Sequence, residues 1–462
     1  MVTLSIRKKT INYVTASKLY DYTQCPHKVW RDLYGPQEEK IQETNPFVEL
    51  LWNKGIRHEE KIVSGIGEYL DLKEGLLDER FEKTLEALKN KNPLIYQGVL
   101  KYNNLLGIPD LLKLLPDGSY MAIDIKSGAG FEGADEETGD EGKPKLHYAV
   151  QLCLYNELLN KLGFANHKNG NIIDIHGDQI EYDLLASKGV RDKSTWWDNY
   201  EKIKNQVVLL MANQDKNKPS SSGKCKLCPW YSSCIKWCTK NDDLTNIFYL
   251  GRTNRDIINE DLEIEKVHDF LNINVEEIIE KKSKDKNFLR GIGEKSLLRS
   301  IERAKLLINN QKPIAHEQIL LPKVGYELFF DIEDDPTQEF VYLHGVYERS
   351  DKGERFVEFT ANDTSSEEEE KVWSDFWKYI NSLPQDDFAV YYFSQHEKTT
   401  YKKLQERYHD VISKEDLEKF FSNPNVVDLY KIVLGKTDWP LGSYSIKSIA
   451  TYLGFKWRDA TP

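Results

Sequence analysis

The placement of the cysteines constrains this chain more than any other feature. Three of the six stand together as Cys225-x2-Cys228-x5-Cys234, and a fourth, Cys25, lies about two hundred residues upstream. In a reducing compartment thiols rarely pair as disulfides, and a Cys-x2-Cys turn aims two sulfurs at one centre, so clustered cysteines more often hold a metal. A zinc ribbon normally pairs one such turn with a second knuckle. Here the second half is a lone distant cysteine and one thiol after five residues. On spacing alone zinc and an iron–sulfur cluster stay level, because both accept four thiolates. Cys153 falls on an apolar helical pattern and reads as a buried small residue, while Cys238 is a bystander or an alternative ligand.

A length of 462 residues suggests roughly three domains of about 150 each. A hydrophobic share of 40% with dispersed charge excludes disorder, collagen and repeat architectures. No run of about 18 apolar residues occurs, and Met1 to Ser17 lacks an apolar secretory core, so the expectation is a cytoplasmic protein without a membrane partner. The net charge of -12 does not by itself favour nucleic acid. Locally the balance differs: Lys281 to Lys305 holds nine basic residues against three acidic, a candidate backbone contact, whereas Glu367 to Glu370 reads as a solvated helix face.

Between the cysteine ends, three strands are expected: Tyr96 to Tyr102, Leu105 to Leu115, and Tyr120 to Gly128. Pro116-Asp117-Gly118-Ser119 is a turn signal that makes a hairpin of the last two. Alternation puts Asp124 and Lys126 on one face and Ile123 and Ile125 on the other, and a short loop brings Asp110 alongside Asp124. Two acids and a lysine on one face pack poorly but suit a hard divalent cation, an activated water and a charged phosphorus centre. An exposed hairpin with ordinary surface charges is the bland alternative.

Two further features bear on that choice. His58 lies on a helical stretch, Gly55-Ile-Arg-His58-Glu-Glu, and Gln151 and Tyr155 share a face one turn apart in His147-Tyr-Ala-Val-Gln151-Leu-Cys-Leu-Tyr155. Taken singly, these read as a structural histidine and a core tyrosine beside a capping glutamine. In order, however, Cys25, His58, Pro109-Asp110, Asp124-x-Lys126, Gln151-x3-Tyr155 and the three-cysteine run closely resemble the RecB-like PD-(D/E)XK nucleases that carry a [4Fe–4S] cluster, over residues 1–240. Asp stands at position 124 where that family more often has Glu.

The resemblance implies catalysis at Asp110, Asp124 and Lys126, and DNA contact and active-site support from Gln151 and Tyr155. It implies a metal ion held by His58, Asp110 and Asp124, the imidazole tilting preference from Mg²⁺ towards Mn²⁺. It also implies a structural 4Fe-4S cluster on Cys25, Cys225, Cys228 and Cys234, raising iron–sulfur above zinc. The likeness is nearest to CRISPR-associated and helicase-linked exonucleases of single-stranded DNA, with 5′ to 3′ polarity.

Residues 241–315 read as short helical pieces, and Gly291-Ile-Gly293 opening an amphipathic helix resembles a helix-hairpin-helix module that meets a DNA phosphate. A plain helix–helix turn is the alternative. From 320 to 462 the order of strands and helices resembles the ribonuclease H-like fold, with a helix from about Glu367 to Ile380. Asp331-x-Glu333 is similar to the first acidic motif of its DEDD exonuclease branch, where carboxylates hold two metal ions. Glu397 and Asp428 are further acids. The chain stops before a closing acidic helix, so this domain is expected to be a fragment or catalytically incomplete.

The fold class expected is therefore α/β: a restriction-endonuclease-like core, a helical linker and a partial ribonuclease H-like domain. The function expected is a metal-dependent DNA exonuclease in DNA repair or CRISPR-type DNA handling. A different class is a DNA-binding, end-capturing subunit serving a helicase or integrase. A third reading is a ribonuclease acting through Asp331 and Glu333.

Overall fold

The computed structural model describes residues 12–43, 45–132, 142–189, 192–214, 217–335 and 339–457. Of the stretch read for a secretory core, residues 1–11 lie outside those described. Among the described residues no helix is long and apolar enough to cross a membrane. The chain forms two compact units, the first reaching Pro219 and taking in Gly223–Ile235, the second comprising Ser220–Ser222 and Lys236 onward.

The first unit opens with α1 (Ala16–Gln24), capped by Thr15, and α2 (Pro26–Tyr34), started by a proline that needs no helical N–H partner. Cys25 is the extended residue between them. Next come α3 (Pro46–Gly65), β1 (Leu70–Asp71), α4 (Leu77–Lys89), β2 (Leu94–Tyr96), β3 (Leu111–Leu114) and β4 (Tyr120–Ile125). They are followed by α5 (Leu146–Lys161), β5 (Asn169–Ile173), β6 (Gln179–Asp183) and α6 (Trp196–Met211). The sheet runs β6-β5-β4-β3-β2-β1, with β4 antiparallel to β3 and parallel to β5, where Asp124 faces Ile172.

Every residue of β4 is buried, as expected of a strand covered on both faces. Tyr120 and Ala122 pack against Leu152, Leu154 and Leu158 of α5. Ile123 and Ile125 turn the other way, onto Val63 and Ile62 of α3. Asp124 therefore belongs to the α5 face by alternation.

The expected hairpin forms, with Leu114 paired to Tyr120 and Gly118 at φ +86° in the turn. The two strands expected before it each break in half. Gln97 takes φ +56°, which ends β2, and Pro109 has no N–H to give a ladder. The severed pieces Leu100–Tyr102 and Leu105–Gly107 pair with each other, and the latter with Val14–Thr15, in a separate small sheet. Asp110 is thereby left in the loop entering β3.

After α7 (Tyr231–Lys240), the second unit begins with four helices: α8 (Gly251–Leu262), α9 (Val267–Phe270), α10 (Val275–Lys284) and α11 (Glu294–Asn309). They enclose Phe270, Leu289, Leu297 and Ile301. Gly293 caps α11, where the sequence suggested a hairpin.

Next come β7 (Tyr326–Asp335), β8 (Phe340–Ser350), β9 (Gly353–Thr360), α12 (Ser366–Ser382), β10 (Phe388–Tyr392) and α13 (His396–Arg407). The rest is α14 (Lys414–Ser422), β11 (Val426–Asp428), α15 (Leu429–Lys436) and α16 (Ile446–Tyr452). The sheet order is β9-β8-β7-β10-β11: an antiparallel meander, then two strands parallel to β7. Trp373 and Phe376 of α12 fill its core.

The acidic run at the start of α12 is not wholly solvated. Glu369 is buried and accepts the Val341 N–H at 2.6 Å, the Tyr408 hydroxyl at 2.7 Å and Arg407 at 3.2 Å. Four successive residues span a full helical turn, so one of them must face inward.

Candidate functional site

Asp110, Asp124 and Lys126 converge where β3 and β4 meet. The Ile125 N–H donates to Asp110 Oδ2 at 2.7 Å, and Gln97 Nε2 donates to Asp110 Oδ1 at 2.9 Å. The same Gln97 amide reaches Glu59 Oε1 of α3 at 3.0 Å, which also accepts the Tyr96 hydroxyl at 2.8 Å. Burial, reinforced by the charge of Asp124, pushes the Asp110 carboxyl up to about 8.

Lys126 Nζ lies 2.6 Å from Asp124 Oδ2 and donates to Gln151 Oε1 at 3.3 Å. This close ion pair joins the lysine to the buried carboxylate. Burial opposes the ammonium, yet Asp124 and Asp110 outweigh it and hold Lys126 above its ordinary range.

From α5, Gln151 is fixed by donating to the His147 carbonyl at 2.6 Å, and the Tyr155 hydroxyl bonds Asp124. Burial, then the charges of Asp124 and Asp110, keep that tyrosine protonated as a donor. Gly107 makes room for it: a Cβ there would stand 2.7 Å from the Tyr155 ring.

His58 Nε2 donates to the Asp174 carbonyl at 2.9 Å, which leaves the Nδ1 lone pair as the ring's acceptor when neutral. Among the described residues, the donor atoms of His58, Asp110 and Asp124 do not lie within 4.8 Å of one another. The arrangement suits a hard cation on two counts. Burial, with the charge of Asp124 added, makes the Asp110 carboxyl hold its proton more tightly, and the buried Asp124 carboxylate is paired closely with Lys126. Glu59 and Gln97 were not singled out from the sequence. The available signal was that Glu59 shares the core-facing stripe of α3 with Ile62 and Val63, where an acid needs a partner.

The four thiols gather from both ends of the unit. Cys225 lies in the turn Gly223–Leu227, its carbonyl accepting the Cys228 N–H at 2.9 Å, and Cys234 is on α7. Burial, opposed by Arg31, and then the neighbouring thiols of Cys228, Cys25 and Cys225 push Cys234 up to about 12. Among the described residues no three of the four sulfurs lie within 4.8 Å of one another. A zinc tetrahedron with Zn–S near 2.3 Å would set them about 3.8 Å apart.

Around them the ends are tied directly. Trp230 Nε1 donates to Asp32 at 2.9 Å, the Ile41 N–H donates to Pro229 O at 2.9 Å, and Glu39 takes both Arg31 and the Ser233 hydroxyl. Cys153 is buried in α5, and Cys238 is buried beside Thr245.

In the second unit Asp331 and Glu333 share a face of β7. Burial raises both, Asp331 adds to the rise of Glu333, and Asp331 likewise adds to the burial-driven rise of Glu397 at the start of α13. Asp428 ends β11 fully engaged: Oδ1 accepts the Tyr430 and Lys431 N–H groups, and Oδ2 accepts Gln395 at 2.9 Å.

Comparison with known proteins gives two family matches. Residues 14–235 match the PD-(D/E)XK nuclease superfamily, and residues 328–462 match the RNase_H superfamily. The crystal structure of SSO0001 is similar at 15% identity, covering 49% of this chain and 87% of that one, with a TM-score of 0.24 that is too low to bear on the fold. No curated protein matches the chain. The chain thus joins a PD-(D/E)XK nuclease superfamily domain over residues 14–235 to an RNase H superfamily domain over residues 328–462, a pair that supports a nuclease.

Proposed function

We propose that the chain is a cytoplasmic, divalent-metal-dependent deoxyribonuclease that digests single-stranded DNA from an end, with its chemistry in the PD-(D/E)XK domain. The observation that carries this reading is the half-buried Asp110 beside the buried Asp124, with Lys126 Nζ 2.6 Å from Asp124 Oδ2. Asp110 and Asp124 would hold Mg²⁺ or Mn²⁺, with His58 as the third donor through Nδ1. The hydrogen bond from Nε2 to a backbone carbonyl is the partner that metal-ligating imidazoles usually have. Such an ion supplies Lewis acidity and a more acidic water. Lys126 stabilises the charge that builds on the phosphate, a task suited to a cation already fixed by Asp124 and Gln151. Tyr155 and Gln151 orient Asp124 and Lys126. Polarity from the 5′ end, and a place in DNA repair or CRISPR-type processing, rest on the resemblance alone.

Cys25, Cys225, Cys228 and Cys234 would hold a 4Fe-4S cluster. The reading rests on the resemblance in cysteine spacing and on Cys25, Cys225, Cys228 and Cys234 coming from the two ends of the same unit.

A second reading, favoured by the engagement of both Asp428 oxygens, is that the chain is a DNA-binding, end-capturing subunit with non-catalytic nuclease folds that serves a helicase or integrase partner. The test is an anaerobic preparation, analysed for iron and zinc, assayed on end-labelled single and double strands with Mn²⁺, Mg²⁺ or chelator. Metal-dependent loss of single strands that Lys126→Ala abolishes supports the nuclease. Intact DNA in every lane, with binding that survives chelation, favours end capture. RNA cleavage persisting in Asp124→Ala would instead point to Asp331 and Glu333.

A further inference from the structure

Helix α3 is half anchored. Gly55, Glu59, Ile62 and Val63, with Ile66 just beyond the helix, recur at spacings of three and four and so share one face. The C-terminal part of that face packs on Tyr96, Ile123 and Ile125. Its middle meets the nuclease centre: Glu59 bonds the glutamine that holds Asp110, and a Cβ at Gly55 would touch Ser127 Oγ at 3.7 Å, one residue from Lys126. Carried one turn further back, the same face runs through Leu51 and Trp52, which are 37% and 62% exposed. The helix thus extends past the end of the sheet beside the catalytic lysine, with its apolar stripe continuing where the core has run out. Exposed apolar patches of this kind mark surfaces that bind something.

We infer that Leu51 and Trp52 form a stacking platform for the bases of a single-stranded nucleic acid entering the nuclease centre. The inference rests on the proposal that this centre acts on DNA. Continuity decides the occupant: seven residues separate Trp52 from Glu59, about 10 Å of helix, or roughly three stacked nucleotides of one strand. A chain whose phosphate lies at Asp110 and Lys126 has its neighbouring bases at this face. An indole face accepts any unpaired base but not one stacked inside a duplex, so the platform selects single strands irrespective of sequence.

The test measures binding of a labelled oligothymidylate and of a blunt duplex to the full chain in chelator, by anisotropy, for wild type, Trp52→Ala, Trp52→Phe and Leu51→Ser. Circular dichroism checks folding, and Leu51→Ser serves if Trp52→Ala does not fold. We expect Trp52→Ala to weaken oligothymidylate binding about tenfold, Trp52→Phe to retain most of it, and duplex binding to stay unchanged. Unaltered oligothymidylate affinity in Trp52→Ala would overturn the inference. So would an equal loss on duplex, or a wild-type dimer that Trp52→Ala dissociates in light scattering. Trp52-dependent binding in a protein that cuts no DNA under any metal would uphold the platform while removing the nuclease reading beneath it.

Discussion

The backbone N–H of Ile125 donates to Asp110 Oδ2 at 2.7 Å, so the acid entering one strand is locked to the strand that carries Asp124. This bond fixes the spacing of two carboxyls that would otherwise separate. It also makes their repulsion a property of the fold.

Burial of Asp110, with the charge of Asp124 added, sets a pH dependence. The Asp110 carboxyl stands near 8 in the folded chain, against about 3.9 when unfolded. Between those values the folded state keeps a proton that the unfolded chain has lost, so metal-free stability falls as pH rises from about 4 to 8. Asp110→Asn is expected to flatten this slope, raise the melting temperature of chelated protein at pH 8, and abolish stabilisation by Mn²⁺. Melting curves across pH, with and without the ion, check it.

Lys126→Gln keeps a hydrogen-bonding group beside Gln151 but removes the charge facing Asp124. Single-turnover cleavage of end-labelled DNA should slow about 100- to 1000-fold, the usual cost of losing one preorganised electrostatic contact, while oligonucleotide affinity changes little. A rate within a few-fold of wild type would remove Lys126 from the reaction.

Cys25→Ser leaves three thiols on the far end of the unit. The expected outcome is loss of visible absorbance and of bound iron, with a lower melting temperature for the first unit, while the acids and Lys126 remain intact. Unchanged iron content would exclude Cys25 as a ligand.

Asp438 is fully buried and is held by Arg299 at 3.0 Å, Arg303 at 2.7 Å and His316 at 2.8 Å. With Glu302 and His316 it offers three ligand atoms within 4.8 Å, but two guanidinium groups already neutralise it, which argues against a cation there. Asp438→Asn should cost about 3–5 kcal/mol in urea unfolding by stranding those arginines, and chelator should leave the unit unaffected. Burial works against its charge, but Arg299, Arg303 and His316 hold its carboxyl below the ordinary value. Its contribution is therefore complete at neutral pH and disappears only as pH falls below about 4.

Local pattern made part of this legible. The Pro-Asp-Gly-Ser turn, the shared face of Asp124 and Lys126, and the one-turn spacing of Gln151 and Tyr155 follow from strand and helix periods. The break at Gln97 did not, because a non-glycine residue in the left-handed region leaves no mark in the composition around it. Without that break, neither the reach of Gln97 to Asp110 nor the partner it makes of Glu59 can be foreseen. The basic stretch shows the opposite limit. Lys282 is bound to the Phe288 and Leu289 carbonyls, and Arg299 and Arg303 to Asp438, so counting charges overstated what remains for a phosphate.

The ties between Trp230 and Asp32, and between Pro229 and Ile41, have a consequence during synthesis. The bonds that Asp32 and Ile41 make to Trp230 and Pro229 can form only after almost two hundred further residues have left the ribosome. The PD-(D/E)XK superfamily domain therefore completes this part of its packing only once its C-terminal segment has been made.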